Sequence, residues 1–170
     1  MGTPELTSGV QIRLTTQSPA ETQAMAAAFA PLCVPDDVIG LAGTLGSGKT
    51  CFVKGLARGL GVPDDRAVIS PSFVLLRRYA GRLTLYHFDS YRLRDAAEME
   101  EIGCAETFGS GGVSVVEWAD HVAECLPPEH FSLSITVTGA TARDFTMEAF
   151  GAGPVARLES LAGVLSGWRR

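Results

Sequence analysis

The stretch Val38–Gly61, VIGLAGTLGSGKTCFVKGLARGLG, decides the fold. Within it, Gly43-Thr44-Leu45-Gly46-Ser47-Gly48-Lys49-Thr50 satisfies the phosphate-loop pattern G-x-x-x-x-G-K-[ST] without a mismatch. Val38–Ala42 is a short apolar run suited to a strand buried on both faces. Beyond Lys49, apolar Phe52, Val53, Leu56, Ala57 and Leu60 recur at helical spacing. Gly61 then stands where a helix takes its left-handed closing residue. Strand, glycine loop and helix in that order give the motif a mechanism. Glycines 43, 46 and 48 allow positive φ, so the backbone N–H groups, those of Leu45 and Ser47 included, can approach a polyphosphate. The helix opening at Lys49 points its free N–H groups and positive dipole end at the same anion. Lys49 supplies a mobile charge for the β- and γ-phosphates, and the Thr50 hydroxyl is placed to ligand Mg²⁺. A glycine turn entering a core helix is the plain alternative. Lysine usage weighs against it: of 14 Lys and Arg residues only Lys49 and Lys54 are lysines, so the lysine here is a chosen one.

Working outward, 170 residues suit one domain with a proper core. The net charge of −5 argues against a basic face that grips nucleic acid unaided, so any RNA would come through a partner. No apolar run reaches the ~20 residues of a membrane span. Met25–Val34 is Ala-rich but follows a polar segment without a basic region, unlike a signal peptide. Cys33, Cys51, Cys104 and Cys125 are widely spaced, which favours reduced thiols in a cytoplasmic protein over a zinc site or disulfides. His87, His121 and His130 lack metal-ligand spacing.

Along the chain, alternation predicts a first strand at Val10–Thr15. Ser18-Pro19-Ala20-Glu21 is a capping box for a helix lined by Met25, Phe29 and Leu32 and ending before Pro35. Val68–Val74 begins extended, and Val74–Tyr79 with Leu83–Phe88 reads as an antiparallel hairpin around Ala80-Gly81-Arg82. Asp95 caps a short helix that stops at Gly103, and Ala105–Phe108 forms a further turn. Val113–Val116 is a second buried strand, followed by a short helix ending at Leu126-Pro127-Pro128. Leu133, Ile135 and Val137 alternate, with Asp144–Phe150 as hairpin partner across Gly139–Ala142. Leu158, Leu161 and Leu165 suggest a weak C-terminal helix or a frayed tail over residues 152–170. The expected fold is α/β, a single P-loop domain over residues 1–170.

A phosphate loop alone binds; hydrolysis needs an acid at the end of a neighbouring strand. Glu117 follows Val113–Val116, and Asp89 ends Leu83–Phe88. Such sheets deliver the carboxyl ends of their strands to the ligand crevice, so both acids can face the Mg²⁺–phosphate region. One can hold the metal through water while the other orients the attacking water. A solvated carboxylate at a strand end is the plain alternative for each. His87 reads as hydrogen-bonded structure or a proton relay, Arg92 and Arg94 as a solvated basic face or phosphate contacts. Trp118 reads as packing, with stacking on a base or a partner as the alternative. Cys51, in the helix's first turn, is expected to have a favoured thiolate and to be covered by nucleotide.

The motifs GTLGSGKT, SPSF (70–73), YHFDSYRL (86–93), EMEEIG (98–103) and VVEW (115–118), in that order, resemble the bacterial tRNA threonylcarbamoyladenosine biosynthesis ATPase family TsaE, formerly YjeE. The hairpin around Arg143 and Ala149-Phe150-Gly151 extend the resemblance, which covers about residues 10–151. It implies a P-loop NTPase-like three-layer α/β domain with a mixed parallel and antiparallel central sheet, ATP and Mg²⁺ as cofactors, and the TsaB and TsaD proteins as partners, with tRNA met only through them and no membrane involved. Carried over, Lys49, Asp89 and Glu117 are the catalytic residues, and Thr50, Glu117 and Asp89 serve the metal. Gly43, Leu45, Gly46, Ser47, Gly48, Lys49, Thr50, Cys51 and Ser72 are the nucleotide contacts, Ser72 in a switch-like loop near the γ-phosphate. Three departures stand out: Thr44 where the family usually has an acid, Cys51 where it has a second hydroxyl, and Ser72 for Thr. Two other readings compete. A small-metabolite kinase would need an Arg-bearing lid, which only Arg77–Arg94 offers. A nucleotide-gated assembly module would need no hydrolysis. A GTPase is disfavoured, because the chain has no asparagine for the guanine-reading N-K-x-D motif.

Overall fold

The computed structural model describes residues 10–170 and builds them around one seven-stranded sheet of order β1-β7-β6-β2-β5-β4-β3. Its middle is parallel. Strand β2 (Val38–Ala42) lies between β5 (Val113–Glu117) and β6 (His130–Val137), and β4 (Leu85–Asp89) runs parallel to β5. Antiparallel pairs finish both sides: β3 (Leu76–Tyr79) on β4, and β7 (Arg143–Phe150) between β6 and β1 (Gln11–Thr16). The sheet is therefore mixed, as the family resemblance implies.

Alternating residues of β2 and β5 feed two cores. Ile39, Leu41, Val113 and Val115 join a large cluster with α1 (Pro19–Phe29), α2 (Lys49–Gly59) and α5 (Ala152–Val164). Val38 and Val116 face the other way, into a smaller cluster with α3 (Ala96–Glu101) and α4 (Cys104–Phe108). That alternation, with period two, makes the three layers.

The helix ends follow local chemistry. The Ser18 hydroxyl accepts from the Glu21 N–H at 3.2 Å, and the Glu21 carboxylate accepts from the Gln17 N–H at 2.7 Å. Asp95 caps α3 through the Glu98 N–H at 3.1 Å. Gly103, with φ of 78°, ends that helix and caps the next.

Several boundaries depart from the expectation. The strand expected from Val74 starts at Leu76, because the N–H groups of Val74 and Leu75 both donate to the Pro71 carbonyl and turn Leu75 left-handed, φ 67°. The strand expected over Leu83–Phe88 runs from Leu85 to Asp89. Its hairpin loop is docked on α2, with the Arg82 N–H on the Leu60 carbonyl at 2.6 Å, so pairing begins later. The first strand is shifted one residue to Gln11–Thr16. The C-terminal segment is a helix, not a frayed tail: Leu158, Leu161 and Leu165 are fully buried, and Arg157 makes a two-pronged pair with Asp37 at 2.5 and 2.6 Å.

Helices α1 and α2 cross closely, and glycine makes this possible. A Cβ built on Gly55 would lie 2.3 Å from the Gln23 carbonyl oxygen. Helix propensity alone favours Gly55→Ala by about 1 kcal/mol. The clash with backbone reverses the sign, so Gly55→Ala is expected to destabilise the protein by about 1–3 kcal/mol in denaturant titration. A stabilised Gly55→Ala variant would refute the close crossing.

Candidate functional site

The parallel core of the sheet sets the site. The ends of β2, β4 and β5 come together at one edge, where Asp89 pairs in register with Glu117, and Glu117 with Leu41. Beside them the loop after β2 takes positive φ at Gly43 (156°), Gly46 (76°) and Gly48 (108°) and enters α2 at Lys49. Between loop and acids lies a cleft of about 420 Å³. Leu45, Lys49, Thr50, Ser72, Asp89 and Glu117 all line it.

Two side chains of the loop are already bonded inside the protein. The Thr50 hydroxyl donates to Glu117 Oε1 at 2.8 Å. Lys49 Nζ donates to the carbonyls of Gly43 at 2.6 Å and Thr44 at 3.0 Å, and lies 3.7 Å from the centre of the Trp118 ring. Burial lowers the lysine's pKa, and the charges of Glu117, Asp120 and Asp89 work against that shift.

The acids differ in surroundings. Glu117, only 3% exposed, accepts from Thr50 and also from His87 Nε2 at 2.8 Å, both on Oε1. Asp89 anchors the 70–72 loop. Its Oδ2 accepts from the Ser70 hydroxyl and from the Ser72 hydroxyl at 2.9 Å, and its Oδ1 from the Tyr91 N–H at 2.9 Å. Ser72 thus meets the cleft through Asp89. No group of three or more His, Cys, Asp or Glu suited to a metal exists among the described residues. The hard oxygens of Thr50, Glu117 and Asp89 instead fit Mg²⁺, which commonly takes one or two carboxylates and completes its shell with phosphate and water.

Trp118, read from the sequence as packing with stacking as the alternative, lines the cleft, and the structure gives Ser90 and Arg143 supporting roles that the sequence did not. Trp118 is left-handed (φ 59°), a conformation that costs about 1–3 kcal/mol and clusters at functional sites. Ser90 holds it there, its hydroxyl donating to the Glu117 and Trp118 carbonyls at 2.8 Å each. The ring lines the cleft beside Tyr91, centroids 4.9 Å apart, and is not core packing. Arg143, at the start of β7, donates Nε to the Ser47 carbonyl at 2.8 Å and Nη2 to the Gly46 carbonyl at 3.3 Å. It holds the glycine loop from behind. Alternation predicted its hairpin, but only the resemblance marked Arg143 itself. Arg92 lines the cleft mouth over the Phe73 ring, whereas Arg94 is tied to Glu98 on the surface.

The sequence profile of the family described as "Threonylcarbamoyl adenosine biosynthesis protein TsaE" matches residues 16–145. A protein of Bacillus subtilis (strain 168) named tRNA threonylcarbamoyladenosine biosynthesis protein TsaE is 43% identical over 142 residues, covering 83% of this chain and 87% of that protein. One of the same name from Treponema pallidum (strain Nichols) is 40% identical over 136 residues, 80% of this chain and 99% of the relative. The crystal structure of YdiB from Bacillus subtilis superposes with a TM-score of 0.79 at 36% identity, covering 91% of this chain and 96% of that one.

Cys51 departs from the expectation. The helix N-terminus was expected to favour its thiolate, yet burial pushes the pKa up, against smaller opposing effects of Gln23, Lys54 and Arg143. The thiol is turned toward α1, within 3.4 Å of the Pro19 carbonyl, and stays protonated there. In a variant keeping only this cysteine, the pH midpoint of iodoacetamide alkylation is expected above the usual thiol range. A midpoint below it would show that the helix end governs the thiol after all.

Proposed function

Because this chain belongs to the TsaE family, whose members act in tRNA threonylcarbamoyladenosine biosynthesis, we propose that it is a Mg²⁺-dependent ATPase whose cycle drives turnover of a TsaB–TsaD complex. The observation that carries the reading is the Thr50–Glu117 hydrogen bond at 2.8 Å. It joins the first turn of α2 to the acid ending the neighbouring parallel strand, the arrangement a metal–phosphate centre requires. A bound Mg²⁺ would neutralise charge on the β- and γ-phosphates, held by Thr50 and by Glu117 with Asp89 alongside.

The remaining work belongs to the chain's own groups. Backbone N–H groups of residues 43–48 cradle the phosphates, and Lys49 exchanges the Gly43 and Thr44 carbonyls for phosphate oxygens. Glu117 orients water on the cleft side. Asp89 fixes the position of Ser72 and its loop against the terminal phosphate. The partners are assigned on the family resemblance, and the net charge of −5 agrees with tRNA being met through them.

Lys49→Ala is expected to abolish productive Mg–ATP binding while the fold survives, read by calorimetry beside circular dichroism. Unchanged affinity in a folded variant would remove the glycine loop from the reading. Glu117→Gln keeps shape and loses charge, so it should bind ATP yet lose roughly 10²–10⁴-fold in hydrolysis. It should also fail in multiple-turnover threonylcarbamoyl transfer reconstituted with TsaB and TsaD. Sustained tRNA modification by a Glu117→Gln protein that releases no phosphate would make this an ATP-gated scaffold. Phosphate on a small acceptor instead of in water would make it a kinase.

A further inference from the structure

We propose that His87 is a positioning residue for Glu117, fixing which carboxylate oxygen is turned to the cleft; this rests on the reading of Glu117 given above. His87 lies on β4, two residues before Asp89 and so on the same face of the strand, and is fully buried. Its Nε2 lies 2.8 Å from Glu117 Oε1, while its Nδ1 is sealed from solvent with no partner among the described residues. A hydrogen on Nδ1 would be buried with no described residue to accept it, so the ring carries its hydrogen on Nε2 and donates to Glu117.

Thr50 donates to the same oxygen. Two donors on Oε1 set the carboxylate's rotation, and Oε2 receives none from the described residues. Because Glu117 lines the cleft, that rotation leaves Oε2 as the oxygen available to a water or a hydrated cation. When Thr50 turns to a metal it leaves Oε1, and His87 is then the remaining donor. The imidazole, held in the sheet, keeps the carboxylate from swinging after the hydroxyl. It never touches the nucleotide: its effect passes through Glu117.

The test compares two amides of different reach. In His87→Gln the amide nitrogen falls near the place of Nε2; in His87→Asn it falls near that of Nδ1, short of the carboxylate. His87→Gln is expected to keep kcat for ATP hydrolysis within about threefold of wild type, with Mg–ATP affinity unchanged. His87→Asn is expected to lose roughly 10–100-fold in kcat, as changes behind a ligating group do, with affinity again held within about threefold. In a Glu117→Gln background, His87→Asn should cost little more, because residues acting as one unit are non-additive. Equal kcat in the Gln and Asn variants overturns the proposal, as does a loss in both that follows their melting temperatures. So does a His87→Asn loss that persists in full without the Glu117 carboxylate. Those results leave the role of Glu117 standing. Wild-type hydrolysis by Glu117→Gln itself overturns that role, and this proposal with it.

Discussion

A buried carboxylate at the end of the parallel sheet is the constraint on which the rest of the site depends. Glu117 is 3% exposed, and removing such a charge from water costs several kcal/mol unless donors replace the lost hydration. The donors come from two separate elements, Thr50 at the head of α2 and His87 within β4. Satisfying one carboxylate therefore fixes helix to strand and strand to strand. A register slip of one residue in β5 would send Glu117 to the other face and leave both donors unmet. The left-handed Trp118 that follows, with Ser90 bonded to the carbonyls on either side of the turn, holds the carboxylate at this depth while the chain leaves the sheet.

What the sequence made legible is what local pattern determines. The glycine loop, the flanking strand and helix, the capping residues at Ser18 and Asp95, and the acid ending Val113–Val116 each need only a short window of neighbours. The mixed sheet was implied by the family resemblance, and the two antiparallel hairpins read from alternation are consistent with it. What stayed hidden rests on crossings between distant segments. No spacing rule brings Arg143 behind Gly46 and Ser47, or tells that Gly55 is needed because Gln23 passes 2.3 Å from the place of its Cβ. The C-terminal helix was faint in sequence because its amphipathic signal is weak; it is held by three leucines under the sheet and by Arg157 on Asp37. In two places a local rule gave the wrong answer. A helix N-terminus favours a thiolate, but at Cys51 burial outweighs it. Continuous β-branched and apolar residues favoured a strand from Val74, but the Pro71 carbonyl captured two N–H groups and turned the chain.

The loop's own bonding explains how a glycine-rich turn can be a rigid site. Loops rich in glycine lose much conformational freedom on ordering, which subtracts from any affinity they provide. Here part of that loss is met on folding. Lys49 ties the loop's entry to its exit through the Gly43 and Thr44 carbonyls, and Arg143 holds Gly46 and Ser47 from the other side. The same bonds set what a ligand must overcome. Lys49 gives up two neutral carbonyl acceptors and the Trp118 face, so a neutral group would gain almost nothing from displacing them. A phosphate oxygen gains, because it sets a full negative charge against the ammonium where the carbonyls offer only dipoles. Burial sharpens this preference: the ammonium, already short of water, has its charge poorly compensated until an anion arrives. In the proposed ATPase, selectivity for polyphosphate would come from the difference between two sets of partners for one lysine.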